Sequence, residues 1–391
     1  MKTLNVAIVG AGIGGLTAAN ALYRRGINVA VYEKAHELRE LGAGFVLGAN
    51  GMRVFRELGL GDRIVAITGR ITSHIMKTWS GDELPEYRPP YPVEDAYPLH
   101  RAEFQKLLVS ALPTGTLQLG RSCVGATDSP AGVQIDFADG SQAWADVLVG
   151  ADGIHSVLQS AVGAETAPVS EGIMAYRGLI PAERVAGIYD MSALTMWLGP
   201  GQSFLTFPVS AGKLLNLVAF VPTNLNAEES WSAPGDVTEL AALYSRADKQ
   251  VQKIIAAMEG TFRWGIYDRE PRSTWSTERI TLLGDSAHAT TPHLGQGANM
   301  AIEDAITLAV LLEDAHPDDV SGRLRLYERL RVDRTRGVHD GSREAGQIYR
   351  SKELTPVQQS ERIVAINDRL NFATYDAGFA ARTALNALSR G

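Results

Sequence analysis

Glycines occur together with an acidic residue at three places in this 391-residue chain, and these residues could bind the hydroxyl and phosphate groups of a nucleotide. The three places are residues 10–33, residues 150–153 around Asp152, and the pair Gly284-Asp285. Each follows a short apolar run typical of a buried strand. Ligands of open α/β sheets bind beyond the carboxyl ends of the strands, so a long ligand would meet all three places. This pattern favours an extended dinucleotide such as FAD or NAD.

The first place has the spacing of a dinucleotide-binding turn. Gly10, Gly12 and Gly15 follow the pattern G-x-G-x-x-G between a predicted strand and a predicted helix, and Glu33 stands about 20 residues further on. Free N–H groups at the helix N-terminus can bind a diphosphate, and the Glu33 carboxylate can accept hydrogen bonds from a ribose. The alternative is a glycine-rich turn in an ordinary βαβ unit, but the strand, the helix and the acid all match the dinucleotide pattern.

The third place distinguishes FAD from NAD. Asp285 supplies an acceptor suited to the hydroxyls of a ribityl chain, and residues 295–297 form a bare backbone turn before a helix predicted over 299–312. Such a turn can approach a planar ring, and its N–H groups can stabilise the anionic edge of a reduced flavin. Pro292 stiffens the preceding loop. We therefore expect FAD as the cofactor.

Charge and cysteine content limit the partners and the compartment. The formal net charge of −7 argues against nucleic acid as the main partner. Cys123 is the only cysteine, so no intrachain disulfide can form, which fits a reducing compartment and predicts a cytoplasmic protein. No apolar run reaches the length of about 18 residues that a membrane span needs. No metal-ligand cluster, carboxylate pair or Ser-His-Asp set stands out, so no metal site is expected.

Predicted strands and helices position the three places. Residues 133–149 alternate between apolar and polar, which predicts a β-hairpin whose second strand leads directly to Asp152. Short β-rich runs between residues 173 and 263 predict a largely antiparallel sheet, with a mostly helical stretch over 237–258. A basic amphipathic helix is predicted over 324–336, and we expect its arginines to form a solvated face.

Four motifs together resemble the FAD-dependent aromatic hydroxylases, which are single-component flavoprotein monooxygenases. They are G-A-G-I-G-G at 10–15, L-H-R-A-E-F around Arg101, G-A-D-G-I-H-S from residue 150 and the G-D segment from residue 284. The chain is most similar to the branch that holds salicylate hydroxylase and hydroxynicotinate monooxygenase. This resemblance covers nearly the whole chain up to residue 340 and is specific for the family rather than for a substrate.

The resemblance, with the strand and helix pattern, gives a fold class of α/β (α+β). We expect a Rossmann-like FAD-binding domain with an inserted, mainly antiparallel β-sheet substrate domain and C-terminal helices. The predicted parts are 1–165 and 277–340 for the FAD-binding domain, 166–276 for the substrate domain and 341–391 for the helical segment. The chain is expected to be a monomer or a homodimer.

The resemblance also implies roles for individual residues. Asp152 belongs to a motif tied in this family to both FAD and the nicotinamide co-substrate, NADH or NADPH. Gln159 stands where that motif usually ends in arginine, which leaves the contact with the nicotinamide nucleotide open. The full set of expected cofactor-binding residues is Gly12, Ile13, Gly14, Gly15, Glu33, Lys34, Val46, Arg101, Asp152, Asp285, Gly295, Gln296, Gly297 and Ala298.

The activity implied by the resemblance is hydroxylation of a small aromatic substrate, a phenol or a salicylate-like aromatic acid. NADH or NADPH reduces the flavin, O2 then forms a flavin hydroperoxide, and the electron-rich substrate attacks its distal oxygen. One alternative on the same fold is an FAD-dependent epoxidase or reductase of a non-aromatic, isoprenoid-like substrate. Another is a flavin-bearing regulatory module. The second domain argues against this alternative, because a nucleotide sensor needs only the first domain.

Candidate catalytic and substrate residues follow from the same motifs. The resemblance implies that Pro292 places its carbonyl near the reacting flavin carbon. His293 is the predicted general base because it adjoins the flavin loop, and the alternative is a histidine that only packs there. Val46, where hydroxynicotinate monooxygenases carry histidine, predicts an apolar substrate pocket. The candidate substrate residues are Val46, Thr206, Phe207 and Arg177, of which Arg177 could pair with a substrate carboxylate or form a structural ion pair.

Overall fold

A computed structural model describes residues 3–38, 44–84, 87–163, 165–223 and 233–388. The strands in chain order are β1 (Asn5–Val9), β2 (Asn28–Glu33), β3 (Gly44–Leu47), β4 (Ser73–Thr78), β5 (Tyr97–His100), β6 (Leu117–Leu119), β7 (Cys123–Ser129), β8 (Gly132–Phe137), β9 (Gln142–Ala145), β10 (Val147–Gly150), β11 (Pro168–Pro181), β12 (Ala193–Gly199), β13 (Gln202–Val209), β14 (Leu214–Pro222), β15 (Ala233–Gly235), β16 (Thr261–Arg269) and β17 (Ile280–Leu282). The α-helices are α1 (Ile13–Tyr23), α2 (Ala49–Glu57), α3 (Gly61–Val65), α4 (Arg101–Ser110), α5 (Gln159–Val162), α6 (Val237–Leu243), α7 (Lys249–Ala256), α8 (Asp285–His288), α9 (Gly297–Leu312), α10 (Val320–Tyr349), α11 (Pro356–Leu370) and α12 (Ala377–Leu388). Short 3₁₀ turns cover Val93–Asp95, Ala182–Val185 and Pro292–Leu294.

A five-stranded parallel sheet carries the three glycine–acid places. Its order is β17-β10-β1-β2-β6, and the described pairings are parallel. The strands β1, β10 and β17 are almost fully buried, as their apolar sequences require. Because all five strands point the same way, the ends of β1, β2, β10 and β17 bring the three places to one edge of the sheet. The α/β class and the Rossmann-like domain are thereby confirmed.

The hairpin predicted over 133–149 is only partly correct. Strand β8 pairs antiparallel with β9, but β9 ends at Ala145 and the chain then enters the parallel sheet as β10. Asp146 marks the division, because its N–H donates to the Asn5 carbonyl at 2.8 Å and its carboxylate accepts from the Asn5 N–H at 2.8 Å. These bonds draw the returning chain onto β1.

A seven-stranded sheet in the order β15-β16-β11-β14-β13-β12-β4 forms the second layer. Its pairings are antiparallel apart from the parallel pair β12–β4, which confirms a mainly antiparallel sheet. One face packs in an apolar core that includes Leu240 of α6 and Val251 of α7. Residues of the other face line a cavity together with Ala151 and Leu283, which directly follow two of the parallel strands. The domain boundaries stay a prediction: β4 lies within 1–165 yet pairs in this second sheet, and α10 continues past residue 340.

Helix α10 extends the predicted amphipathic helix in both directions. The expectation that its arginines form a solvated face is wrong for Arg331, whose side chain is fully buried, and right for Arg336, which is exposed. Arg331 faces two carboxylates of α9, described below. Within the described residues, no helix is both long and apolar enough to cross a bilayer.

His74 on β4 should make stability depend on pH. Neither ring nitrogen has a hydrogen-bond partner among the described residues, and burial lowers the pKa of His74 to about 4. The unfolded chain, with a histidine pKa near 6.5, takes up the proton first as the pH falls, so the unfolding free energy should decrease from about pH 6.5 toward pH 4. Urea unfolding of His74→Leu at pH 7 and pH 5 should show a pH difference smaller by about 1–2 kcal/mol.

The matched control for His74→Leu is His316→Leu, at an exposed histidine. That variant should keep the wild-type difference between the two pH values. A pH difference equal to the wild type in His74→Leu would contradict the assignment.

Candidate active site

Two adjoining cavities run along the edge of the parallel sheet. The first, here the nucleotide cavity, has about 320 Å³, and the second, here the ring cavity, has about 290 Å³. Gly12, Ala151 and Gly153 line both, so the two form one elongated groove. Glu33 and Asp152 lie in the nucleotide cavity and Asp285 in the ring cavity, which gives the extended shape that a dinucleotide requires.

Glu33 closes the first turn. Its carboxylate accepts hydrogen bonds from the N–H groups of Ala11 at 2.8 Å and Ala35 at 2.9 Å, so it sits against the turn at the end of β1. Lys34 lines the same cavity. Arg121, which the sequence reasoning missed, also lines it and lies over the ring of Phe137 at 4.0 Å.

The glycines of the first turn differ in what they require. Gly10 has φ +107°, and a Cβ there would overlap the Ala151 carbonyl oxygen, while a Cβ on Gly15 would overlap the Gly10 carbonyl oxygen. Gly15 allows α1 to lie close to the end of β1, and Gly10 allows the turn to lie against Ala151 at the end of β10. A Cβ on Gly12 meets no atom within 4 Å, because this position opens into the groove. A diphosphate could therefore approach the backbone at Gly12, and the groove fits FAD.

Gly12→Ala should weaken FAD binding without disturbing the fold. Gly12 has φ −70°, which any residue adopts, and the added methyl occupies only the open groove. We expect the FAD dissociation constant to rise on the order of tenfold, which equals about 1.4 kcal/mol. Fluorescence titration of the apoprotein measures it. Gly260→Ala, where a Cβ also meets no atom within 4 Å, is the control and should bind FAD normally.

The second and third places are joined directly. The Asp152 carboxylate accepts from the Val157 N–H at 2.9 Å and from the Ser286 hydroxyl at 3.1 Å. Gln159 donates from its side-chain amide to the Ser286 carbonyl at 2.8 Å. The glutamine that departs from the family pattern thus supports the segment that carries Asp285.

A buried charge network holds the third place from behind. Asp304 on α9 accepts from the Gly284 N–H at 3.0 Å, lies 2.6 Å from His288 Nε2, and accepts from Arg331 Nε at 2.7 Å. Burial acts to raise the pKa of Asp304, but His288 and Arg331 keep it below the ordinary value. Arg331 also donates to Glu303 at 2.8 Å. The turn that presents Asp285 is therefore fixed by side chains of α9 and α10.

Most predicted cofactor residues lie along the groove. Gln296 is an exception within the described residues: its side chain is buried and accepts from Asn50 at 3.2 Å. Pro292 lines the ring cavity, and its predicted role near the flavin stays a prediction. The predicted residues that line the ring cavity are Gly12, Ile13, Gly14, Gly15, Val46, Arg101, Asp285, Gly295, Gly297 and Ala298, and those in the nucleotide cavity include Glu33, Lys34 and Asp152.

The seven-stranded sheet supplies the far wall of the ring cavity. Leu205, Phe207, Val218 and Phe220 line it together with Arg177, because cross-strand partners share one face of the sheet. The prediction of Thr206 as a substrate residue is wrong. Side chains alternate along a strand, so Thr206 points to the opposite core, where it is fully buried.

Two arginines give the ring cavity a positive charge. Arg101, at the start of α4, and Arg177, on β11, both line it, with Asp285 as the acidic residue beside them. Burial, and second the charge of Arg101, lower the pKa of Arg177 to about 9. The Arg177 guanidinium lies 3.6 Å from the centre of the Trp264 ring, in a cation–π arrangement. A bound anion would offset the cost of burying this guanidinium.

His293 does not line either cavity. Its imidazole is 2% exposed, and Nε2 lies 2.8 Å from a carboxylate oxygen of Glu171, which is 122 residues away in the chain. The imidazole therefore does not reach the ring cavity, where a general base would act, and it pairs with a distant strand rather than only packing or hydrogen-bonding within its own loop. Burial acts to raise the pKa of Glu171, but His293 and Arg350 hold it below the ordinary value.

Known proteins that are similar to this chain agree with FAD as the cofactor. A family model described as an FAD binding domain matches residues 3–342. The chain is 37% identical over 359 residues to 3-amino-4-hydroxybenzoate 2-monooxygenase of Streptomyces cremeus, covering 89% of this chain and 88% of that protein. It is 35% identical over 373 residues to 3-hydroxybenzoate 6-hydroxylase 1 of Aquipseudomonas alcaligenes, covering 91% and 92%. This chain belongs to the FAD-dependent aromatic hydroxylases.

A solved structure agrees with the membership. A salicylate hydroxylase substrate complex matches with a TM-score of 0.81 and 28% identity over 97% of each chain. The protein is thus an FAD-dependent monooxygenase.

Proposed function

We propose that this aromatic hydroxylase uses NADH or NADPH and O2 to add a hydroxyl group to a small aromatic acid that carries a phenolic hydroxyl. The ring cavity carries the proposal. It combines the glycine-rich backbone before α9, an apolar wall from the seven-stranded sheet, and the buried guanidinium of Arg177.

When bound, FAD supplies the chemistry that accepts a hydride and activates O2. The described residues supply the surroundings for that chemistry. Backbone N–H groups at the N-terminus of α9, with the helix dipole, favour negative charge on a ring placed against Gly297 and Ala298. Phe207 and Phe220 exclude water from the reacting centre.

Arg177 is the proposed partner of the substrate carboxylate. A guanidinium in a water-poor site binds a carboxylate through charge-assisted hydrogen bonds, which fixes the orientation of the ring. Arg101, the second cation that lines the cavity, favours the ionised form of a phenol. A phenolate is the electron-rich form that reacts, and His293, which does not line the cavity, is not assigned the role of a base.

The relatives support this class of substrate. The names of the similar proteins include 3-amino-4-hydroxybenzoate, 3-hydroxybenzoate and 6-hydroxynicotinate as substrates, each an aromatic acid with a ring hydroxyl. Val46 and Phe207 give this cavity an apolar wall, which suits a benzoate.

Substrate-stimulated oxidation of NADH and NADPH tests the proposal. The FAD-loaded protein is mixed with 3-amino-4-hydroxybenzoate, 3-hydroxybenzoate, salicylate and 6-hydroxynicotinate, and with phenol as the counterpart without a carboxylate. We expect at least one acid to perturb the flavin spectrum, to accelerate nucleotide oxidation and to yield a product heavier by one oxygen atom. No oxygenated product from any of the acids with either nucleotide would overturn the proposal.

A further inference from the structure

Three side chains meet behind the ring cavity, one buried and two partly buried, and each comes from a different part of the chain. Glu171 lies on β11, His293 on the 3₁₀ turn Pro292–Leu294, and Arg350 directly after α10. Arg350 Nη2 lies 2.8 Å from one Glu171 oxygen, and His293 Nε2 lies 2.8 Å from the other. Arg350 Nη1 is 3.3 Å from the same imidazole nitrogen. We call these three residues the Glu171 cluster.

The Glu171 cluster contacts the ring cavity through two of its lining residues. Pro292 precedes His293 in the chain and lines the cavity. The ring of Phe220, which lines the cavity too, lies 5.3 Å from the His293 ring between centroids. A movement of the imidazole would therefore shift the turn at Pro292 and remove the support of Phe220.

The backbone of α10 approaches the cluster closely. A Cβ on Gly346 would lie 2.5 Å from His293 Cδ2 and 2.6 Å from a Glu171 oxygen. Glycine within a helix is unfavourable relative to alanine, so a glycine here is explained by the space that His293 and Glu171 occupy. Glu171 reaches the cluster at an irregularity of the pairing between β11 and β16, which occurs between Ser170 and Met174.

We propose that Glu171, His293 and Arg350 are positioning residues that hold Pro292 and Phe220 against the aromatic substrate. The inference rests on the proposed function, because it concerns the same cavity. The cluster acts on the substrate end of the groove, whereas the nucleotide cavity, with Gly12 and Glu33, is formed by other elements. Loss of the cluster should therefore alter substrate binding and product yield more than FAD affinity.

Gly346→Ala and Glu171→Gln test the inference, with Gly322→Ala as the control on the same helix, where a Cβ meets no atom within 4 Å. In the two test variants we expect the KM for the aromatic acid to rise about five- to tenfold and the product formed per nucleotide oxidised to fall at least twofold, with the FAD dissociation constant within about twofold of the wild type. Gly322→Ala should match the wild type in all three. These magnitudes correspond to the loss of about one well-packed contact.

A second comparison separates positioning from general stability. Glu171→Gln in a His293→Phe background should add little further loss, because Glu171 acts through the imidazole. Full additivity of the two changes, or an unchanged KM and product yield in folded Glu171→Gln, would overturn the inference. If Gly346→Ala does not fold, Glu171→Gln decides.

The same variants can test the Glu171 cluster even if the proposed function fails. If the wild-type protein oxygenates none of the aromatic acids, the proposed function fails. The visible circular dichroism of bound FAD then still reports the cluster, because displacement of Pro292 changes the surroundings of the ring. A changed spectrum in Glu171→Gln, with Gly322→Ala unchanged, supports the inference. Identical spectra in the wild type, Glu171→Gln and Gly322→Ala oppose it.

Discussion

Replacing Arg177 with methionine is expected to lower kcat/KM for an aromatic acid by about 100-fold, which corresponds to about 3 kcal/mol for a charge-assisted hydrogen bond in a buried site. Methionine preserves much of the apolar stem but removes the guanidinium that faces the ring cavity. Most of the loss should appear in KM and in the binding constant from flavin spectral titration, because the carboxylate contact exists before the reaction begins.

The comparison between substrates is the decisive part of the Arg177 experiment. For phenol, which has no carboxylate, Arg177→Met should change the binding constant by less than about threefold, which is under 1 kcal/mol. The exposed Arg184 gives a matched control, and Arg184→Met should behave as the wild type. Equal losses for the acid and for phenol would mean that Arg177 does not bind the carboxylate.

Replacing Arg331 with methionine is expected to lower the free energy of unfolding by about 3–5 kcal/mol, the usual cost of removing one partner of a buried ion pair. Arg331 is fully buried between Glu303 and Asp304, so its loss leaves, among the described ion pairs, Glu303 paired only with Arg334 and Asp304 only with His288. FAD affinity should fall as well, because Asp304 holds the Gly284 N–H beside Asp285. Urea unfolding and FAD titration measure the two effects.

Arg336 provides the control on the same helix. It is exposed, so Arg336→Met should change the unfolding free energy by less than about 0.5 kcal/mol. If Arg331→Met proved as stable as Arg336→Met, the buried network would not be a source of stability.

The sequence alone was enough to predict the cofactor-binding residues at one end of the groove. Gly10, Gly12, Gly15 and Glu33 could be assigned because a strand, a tight turn and a helix are formed by neighbours within a few residues of one another. Asp285 was found in the same way, at the end of a buried strand. Once the strands are parallel, their carboxyl ends must meet at one edge, so the union of these residues follows from local patterns.

Only the tertiary structure decided the substrate end and the side chains behind it. Side chains alternate along a strand, and the sequence does not show which alternate set faces the cavity. The packing of β13 and β14 places Leu205 and Phe207 on the cavity side and Thr206 on the opposite side. Glu171 and His293 are 122 residues apart in sequence, and Arg331 lies 27 residues from Asp304. From the sequence, His293 was predicted to be a base and Arg331 to lie on a solvated face. In the folded protein each has a charged partner, and the burial of an ionic group depends on elements distant in the chain.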